Sequence, residues 1–96
     1  MRVRISKKAR ADLVAVVAWW RTNLGAKPVH LLQELSSARA QLAATPNAGV
    51  SVAGAPGNQR RLMLLRSRYI LFYEVSADGV VSIQRVWHMS RNQPPK

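Results

Sequence analysis

One stretch limits the folds open to this chain more than any other: the run QRRLMLLRSRYILFYEVSADGVVSIQRVWHMSR, from Gln59 to Arg91. Its centre, Tyr69 to Val75, is rich in aromatic and β-branched residues, a composition that fits a pleated strand. Alternating segments flank it. In Arg60 to Leu65, one face carries Arg61, Met63 and Leu65, and the other Arg60, Leu62 and Leu64. In Val80 to His88, strict alternation puts Val81, Ile83, Arg85 and Trp87 on one face. Val80, Ser82, Gln84, Val86 and His88 then take the other. Arg66-Ser67 and Ala77-Asp78-Gly79 supply two tight turns, the second a strong hairpin signal. Connections this short join antiparallel neighbours, so a three-stranded meander follows. Its middle strand is apolar on both faces: Tyr69, Leu71, Tyr73 and Val75 on one, Ile70 and Phe72 beside Glu74 on the other.

Such a sheet needs cover, and the first half of the chain offers two helices. Arg2-Val3-Arg4-Ile5 alternates as a short strand, although which sheet edge it joins is open. Ser6 suits a helix N-cap. From about Lys7 to Asn23, Ala9, Leu13, Val16, Val17 and Trp20 form one apolar stripe, with Trp19 beside it. Lys7 and Lys8 oppose the helix dipole in the first turn. Gly25 suits the left-handed position past the helix end. A second helix begins near 26–28, where proline is tolerated. Its stripe is Leu31, Leu32, Leu35, Ala38 and Leu42, and Thr45-Pro46-Asn47-Ala48-Gly49 stops it. Residues 49–58, GVSVAGAPGN, read as a loop or a weak edge strand. Asp12 is placed to pair with Lys8, one turn earlier. Two helices cover only one face of a small sheet. The second face then keeps apolar surface for a partner, unless the sheet curls more tightly on itself.

The length of 96 residues suits one domain, residues 1–96, with 92–96 expected to fray. Charge is the unusual feature: fifteen Lys and Arg, most of them Arg, against four acids, a net +11. Arg forks suit phosphate and carboxylate, so the partner implied is a nucleic acid or an acidic protein. The chain has no cysteine, which removes disulfides, thiolate metal sites and thiol nucleophiles. His30 has no partner at ligand spacing and reads as a surface residue; no metal and no cofactor are expected. No apolar run reaches membrane-spanning length, and no signal-type core follows the basic start, so a cytoplasmic protein is expected.

The order strand, helix hairpin, meander resembles the RelE/ParE superfamily of toxins from type II toxin–antitoxin pairs, with the ParE branch the nearer. KKARADLVAVVAWW, the stop at Pro46 to Gly49, RRLMLLRSRYILFYEV and DGVVSIQRVWHMSR carry the resemblance, which spans nearly the whole chain. It implies an α+β fold with a short N-terminal strand, an α-helical hairpin and a three-stranded antiparallel meander. It also implies a cognate antitoxin whose C-terminal segment wraps the toxin, with DNA touched only indirectly through that antitoxin. An acidic antitoxin would offset the charge. Trp19, Trp20, Leu24, Tyr69, Phe72 and Trp87 are the antitoxin anchors expected.

The superfamily divides by target. In the ParE-like reading the chain poisons DNA gyrase by contact, without chemistry of its own, and Arg66, Arg68, Trp87, His88 and Arg91 meet the target. In the RelE-like reading it is a ribosome-dependent mRNA endonuclease. His88 is then the acid or base, Arg61, Arg85 and Arg91 hold phosphate, and Tyr69 stacks on a base. Val86-Trp87-His88-Met89-Ser90-Arg91 resembles the closing segment of the ParE branch. No lysine lies between Lys27 and Lys96, whereas several nucleases of the fold use lysines on the meander. A lone histidine among arginines lacks the second acid–base group that cleavage requires.

Overall fold

The computed structural model describes residues 2–54 and 58–90. The chain runs β1 (Arg2–Ile5), α1 (Lys7–Leu24), α2 (Val29–Ala44), β2 (Val50–Ser51), β3 (Gln59–Leu64), β4 (Tyr69–Val75) and β5 (Val80–His88). The strands form one sheet in the order β1-β5-β4-β3-β2. The meander β3-β4-β5 is antiparallel, as its short turns require. β1 joins β5 in parallel, Ile5 opposite Ile83, which fixes the edge that the sequence leaves open. Val50 and Ser51 pair with Arg61 and Arg60, so the glycine-rich segment begins as an edge strand; 55–57 and the tail 92–96 lie outside the described residues. Leu65, read as strand, instead stands 75% exposed in the turn.

Ser6 couples the sheet to the first helix. Its hydroxyl accepts the Ala9 N–H and donates to the Gln84 carbonyl, while its own N–H bonds the Ile83 carbonyl. The cap therefore also positions α1 against β5. Gly25 ends α1 at φ 59°, with its N–H on the Arg21 carbonyl. The core joins Ala9 of α1 and Leu31, Leu35, Ala38 and Leu42 of α2 to Leu64, Leu71, Tyr73, Val81, Ile83 and Val86 of the sheet. At its far end the Tyr73 hydroxyl donates to the Pro46 carbonyl and accepts the Gly49 N–H, both at 2.8 Å. A Cβ on Gly49 would lie 2.5 Å from the Arg61 carbonyl oxygen and 2.7 Å from the Tyr73 ring, so the backbone approach there admits only glycine without rearrangement. Arg60 bonds the Gly49 carbonyl from the same side.

Strict alternation fails in β5. Phe72 pairs with Arg85, yet Tyr73 pairs with Ile83, so Gln84 is an extra residue in the strand. This β-bulge switches the faces beyond it. Val86 joins Val81 and Ile83 on the helix side, with Leu71 as its partner, and is 2% exposed. Arg85 and Trp87 move to the opposite face, paired with Phe72 and Ile70. The expected grouping of Arg85 and Trp87 with Val81 and Ile83 is thus corrected. On that second face Phe72 and Trp87 pack at 6.2 Å between ring centres, and Trp87 is buried. The middle of the face covers itself in part, while Met63 and Val50 remain exposed on the flank.

Candidate functional site: a groove at the end of the last strand

Beyond the bulge, β5 has no strand on its outer edge, because β1 stops opposite Ile83. α1 closes this edge. The Asp12 carboxylate takes the Val86 N–H at 2.9 Å and binds Arg85 through Nε at 2.9 Å and Nη2 at 3.0 Å. Asp12 therefore pairs with Arg85, not with Lys8 as helical spacing suggests. The side chains are 22% and 15% exposed for Arg85 and Asp12, and a planar fork in that setting outcompetes a flexible solvated lysine. Donation to the Asp12 carboxylate raises the Arg85 pKa above its ordinary value; partial burial opposes this, and the charge of Asp12 adds to it.

The docking of α1 leaves a groove of about 480 Å³ between its second half and the end of the sheet. Val16, Trp19, Trp20 and Leu24 form the helical wall, and Ser67, Tyr69, His88 and Ser90 the other. Val16 and Trp20 are one turn apart on the same stripe. Trp19 and Leu24 are more than half exposed, and the two indoles meet edge to face at 6.5 Å. Opposite them, Tyr69 and His88 are cross-strand partners whose rings meet edge-on at 5.0 Å. The Ser90 N–H donates to His88 Nδ1 at 3.1 Å, and the Ser90 hydroxyl lies 2.7 Å from the same atom. Since Nδ1 accepts, the neutral ring carries its proton on Nε2.

The turn between β3 and β4 forms the rim. Arg68 takes φ 64°, its N–H bonds the Leu64 carbonyl, and its carbonyl accepts the Met89 N–H. From α2, the Glu34 carboxylate accepts the N–H groups of Arg66 and Ser67. Desolvation pushes the Glu34 carboxyl up. The two backbone hydrogen bonds, the Ser67 side chain and the Arg66 charge together outweigh it and hold the group below its ordinary value. Arg66 and Arg68 are thereby presented, exposed, on a fixed turn.

The fold thus gathers Trp19, Trp20, Leu24, Tyr69 and His88, with Arg66 and Arg68 beside them. It separates the other expected residues. Arg61, Phe72 and Trp87 lie on the opposite face of the sheet, and Arg85 is bound by Asp12. Arg91 lies outside the described residues. Asp12, Glu34, Ser67 and Ser90 join this site without a signal in the sequence. The contacts of Asp12, Glu34 and Ser67 span 32 to 74 residues in sequence, whereas Ser90 bonds His88 two residues away. His30 is exposed. Among the described residues no group of three or more His, Asp or Glu is placed to hold a metal, and no helix is long and apolar enough to cross a membrane.

Comparison with known proteins bears on the fold and the family. A solved protein titled "Chromosomal ParDE TA system from P. aeruginosa" superposes with a TM-score of 0.75 at 23% identity, covering 94% of this chain and 97% of that one. It shares the α+β fold of short N-terminal strand, two helices and sheet. A sequence search of curated proteins returned no match. Residues 3–93 match the sequence model described as "ParE toxin of type II toxin-antitoxin system, parDE". Since that match covers almost the whole chain, this protein belongs to the ParE toxin family of type II toxin–antitoxin systems.

Proposed function

We propose that this chain is a toxin held inactive by a cognate acidic antitoxin, and that it arrests growth in the cytoplasm by contact with DNA gyrase. The net charge of +11 favours an acidic partner, and the groove lined by Trp19, Trp20, Leu24 and Tyr69 offers it apolar anchors. The observation that carries the choice of target is that, among the described residues, no carboxylate or second histidine stands beside His88. Among the described residues it meets the Tyr69 ring edge-on and bonds Ser90. The carboxylates are committed elsewhere: Asp12 to Arg85, Glu34 to the turn amides, Glu74 to Gln84 and Asp78 to Ser76. Cleavage of RNA needs a group to activate the 2′-hydroxyl and another to protonate the leaving oxygen, within reach of one phosphate. A rigid turn with Arg66 and Arg68 beside an aromatic groove suits recognition of a protein surface.

Purified toxin incubated with gyrase, ATP and supercoiled plasmid tests this reading. Linear DNA that accumulates only with both proteins is the expected result. No such breaks, together with codon-spaced mRNA cuts in a translating extract that disappear in a folded His88→Ala variant, would overturn it in favour of the endonuclease.

A further inference from the structure

A second concavity lies at the other end of the molecule. Arg2 and Arg4 of β1, Arg10 of α1 and Arg39 of α2 converge on a cavity of about 680 Å³ beside the β4–β5 hairpin, with Ile5 and Val80 also lining it. All four arginines are exposed, and none has a carboxylate partner among the described residues. The one acid on the rim, Asp78, hydrogen-bonds the Ser76 hydroxyl. Four cations around one cavity repel each other unless an anion joins them. Arg2 and Arg4 are two residues apart on one strand face, roughly 6.6 Å along the chain, so their forks meet separate charges in a row. The cavity lacks the exposed aromatic and aliphatic anchors that an ordering peptide requires; those line the groove at the far end. Val80 borders the cavity and His88 the groove, which separates the two by about 26 Å along β5.

We infer that this arginine cavity binds the phosphodiester backbone of a nucleic acid directly, through Arg2, Arg4, Arg10 and Arg39, while the groove at the other end remains free for a protein. The contact belongs to the toxin itself and does not pass through an antitoxin. Four arginines that neutralise three to four phosphates give a log-affinity against log-salt slope of roughly −3 to −4 with duplex DNA.

The experiment is fluorescence anisotropy of the full-length chain with a labelled DNA duplex across a salt series. In Arg10→Ser/Arg39→Ser the slope should flatten by about 2 and the affinity at low salt should fall roughly tenfold or more. Arg21→Ser/Lys27→Ser removes the same charge away from the cavity and should change both far less; circular dichroism confirms folding of each. Equal losses in the two variants would mean diffuse charge attraction, and the proposal falls. Inorganic phosphate or tripolyphosphate that displaces the duplex at a lower phosphate concentration than unlabelled duplex would mark a site for free anions and overturn it. So would a polyglutamate peptide that displaces it more effectively than unlabelled duplex does.

Discussion

Replacing Tyr73 by phenylalanine removes a single oxygen atom from the far end of the core. The ring is fully buried, so phenylalanine fills the same space and leaves little cavity. What disappears is the pair of hydrogen bonds to the Pro46 carbonyl and the Gly49 N–H. Gly49 is buried, and its N–H is left without an acceptor at a cost of about 1–3 kcal/mol. Pro46 is only half-buried, so water replaces the hydroxyl there and adds about 0.5 kcal/mol. The sum, about 1.5–3.5 kcal/mol, is a large share of the roughly 5–15 kcal/mol that holds a domain together. An equilibrium urea transition followed by tryptophan fluorescence reads it directly. With a slope of about 1.5 kcal/mol per molar for so small a chain, the midpoint should fall by about 1–2.3 M at unchanged slope. A midpoint within about 0.3 M of the parent would refute the reasoning, because the hydroxyl would then not tie the end of α2 to the sheet.

Asp12→Ala removes the carboxylate that the Arg85 guanidinium and the Val86 N–H bond, and should cost about 2–3 kcal/mol by thermal melting; Asp12→Ala/Arg85→Met should recover much of that loss. Gly49→Ala drives a Cβ against the Arg61 carbonyl and the Tyr73 ring, so a loss of about 1–3 kcal/mol is expected, and a neutral substitution would show that β2 gives way easily. Glu34 has a folded pKa below its ordinary 4.5, so the stability it contributes is fully present above 4.5 and is lost as pH falls through the lower folded value. Urea midpoints taken from about pH 5 down to about pH 3 should therefore drop more steeply in the parent than in Glu34→Gln.

Much of this architecture is legible in the sequence because its signals are local. Ser6 caps a helix by accepting the N–H three residues on, Gly25 ends it, and Asp78-Gly79 turns one strand into the next. Each fixes backbone angles within one turn of itself. The groove is legible in part for the same reason: Val16, Trp20 and Leu24 follow the helical period, and Tyr69 opens the most apolar strand. Bonds between distant elements leave no such trace. Glu34 stands on α2 as an unremarkable polar residue until the β3–β4 turn arrives beneath it, and Asp12 resembles any surface acid one turn from a lysine. The bulge at Gln84 is equally silent, since Val80 to His88 alternates plausibly in either phase. It is set by the sheet's need to bury Val86 while β1 ends at Ile83.

That one inserted residue decides what the groove contains. Counting back from the hairpin without it, Tyr69 would face Trp87; with it, Tyr69 faces His88. A single codon in the middle of β5 therefore acts as a selector between an imidazole and an indole at the mouth of the groove, without altering either side chain. Two chains of this fold can carry the same closing residues and still present opposite surfaces, so an alignment that floats a one-residue gap through β5 misassigns every side chain after it.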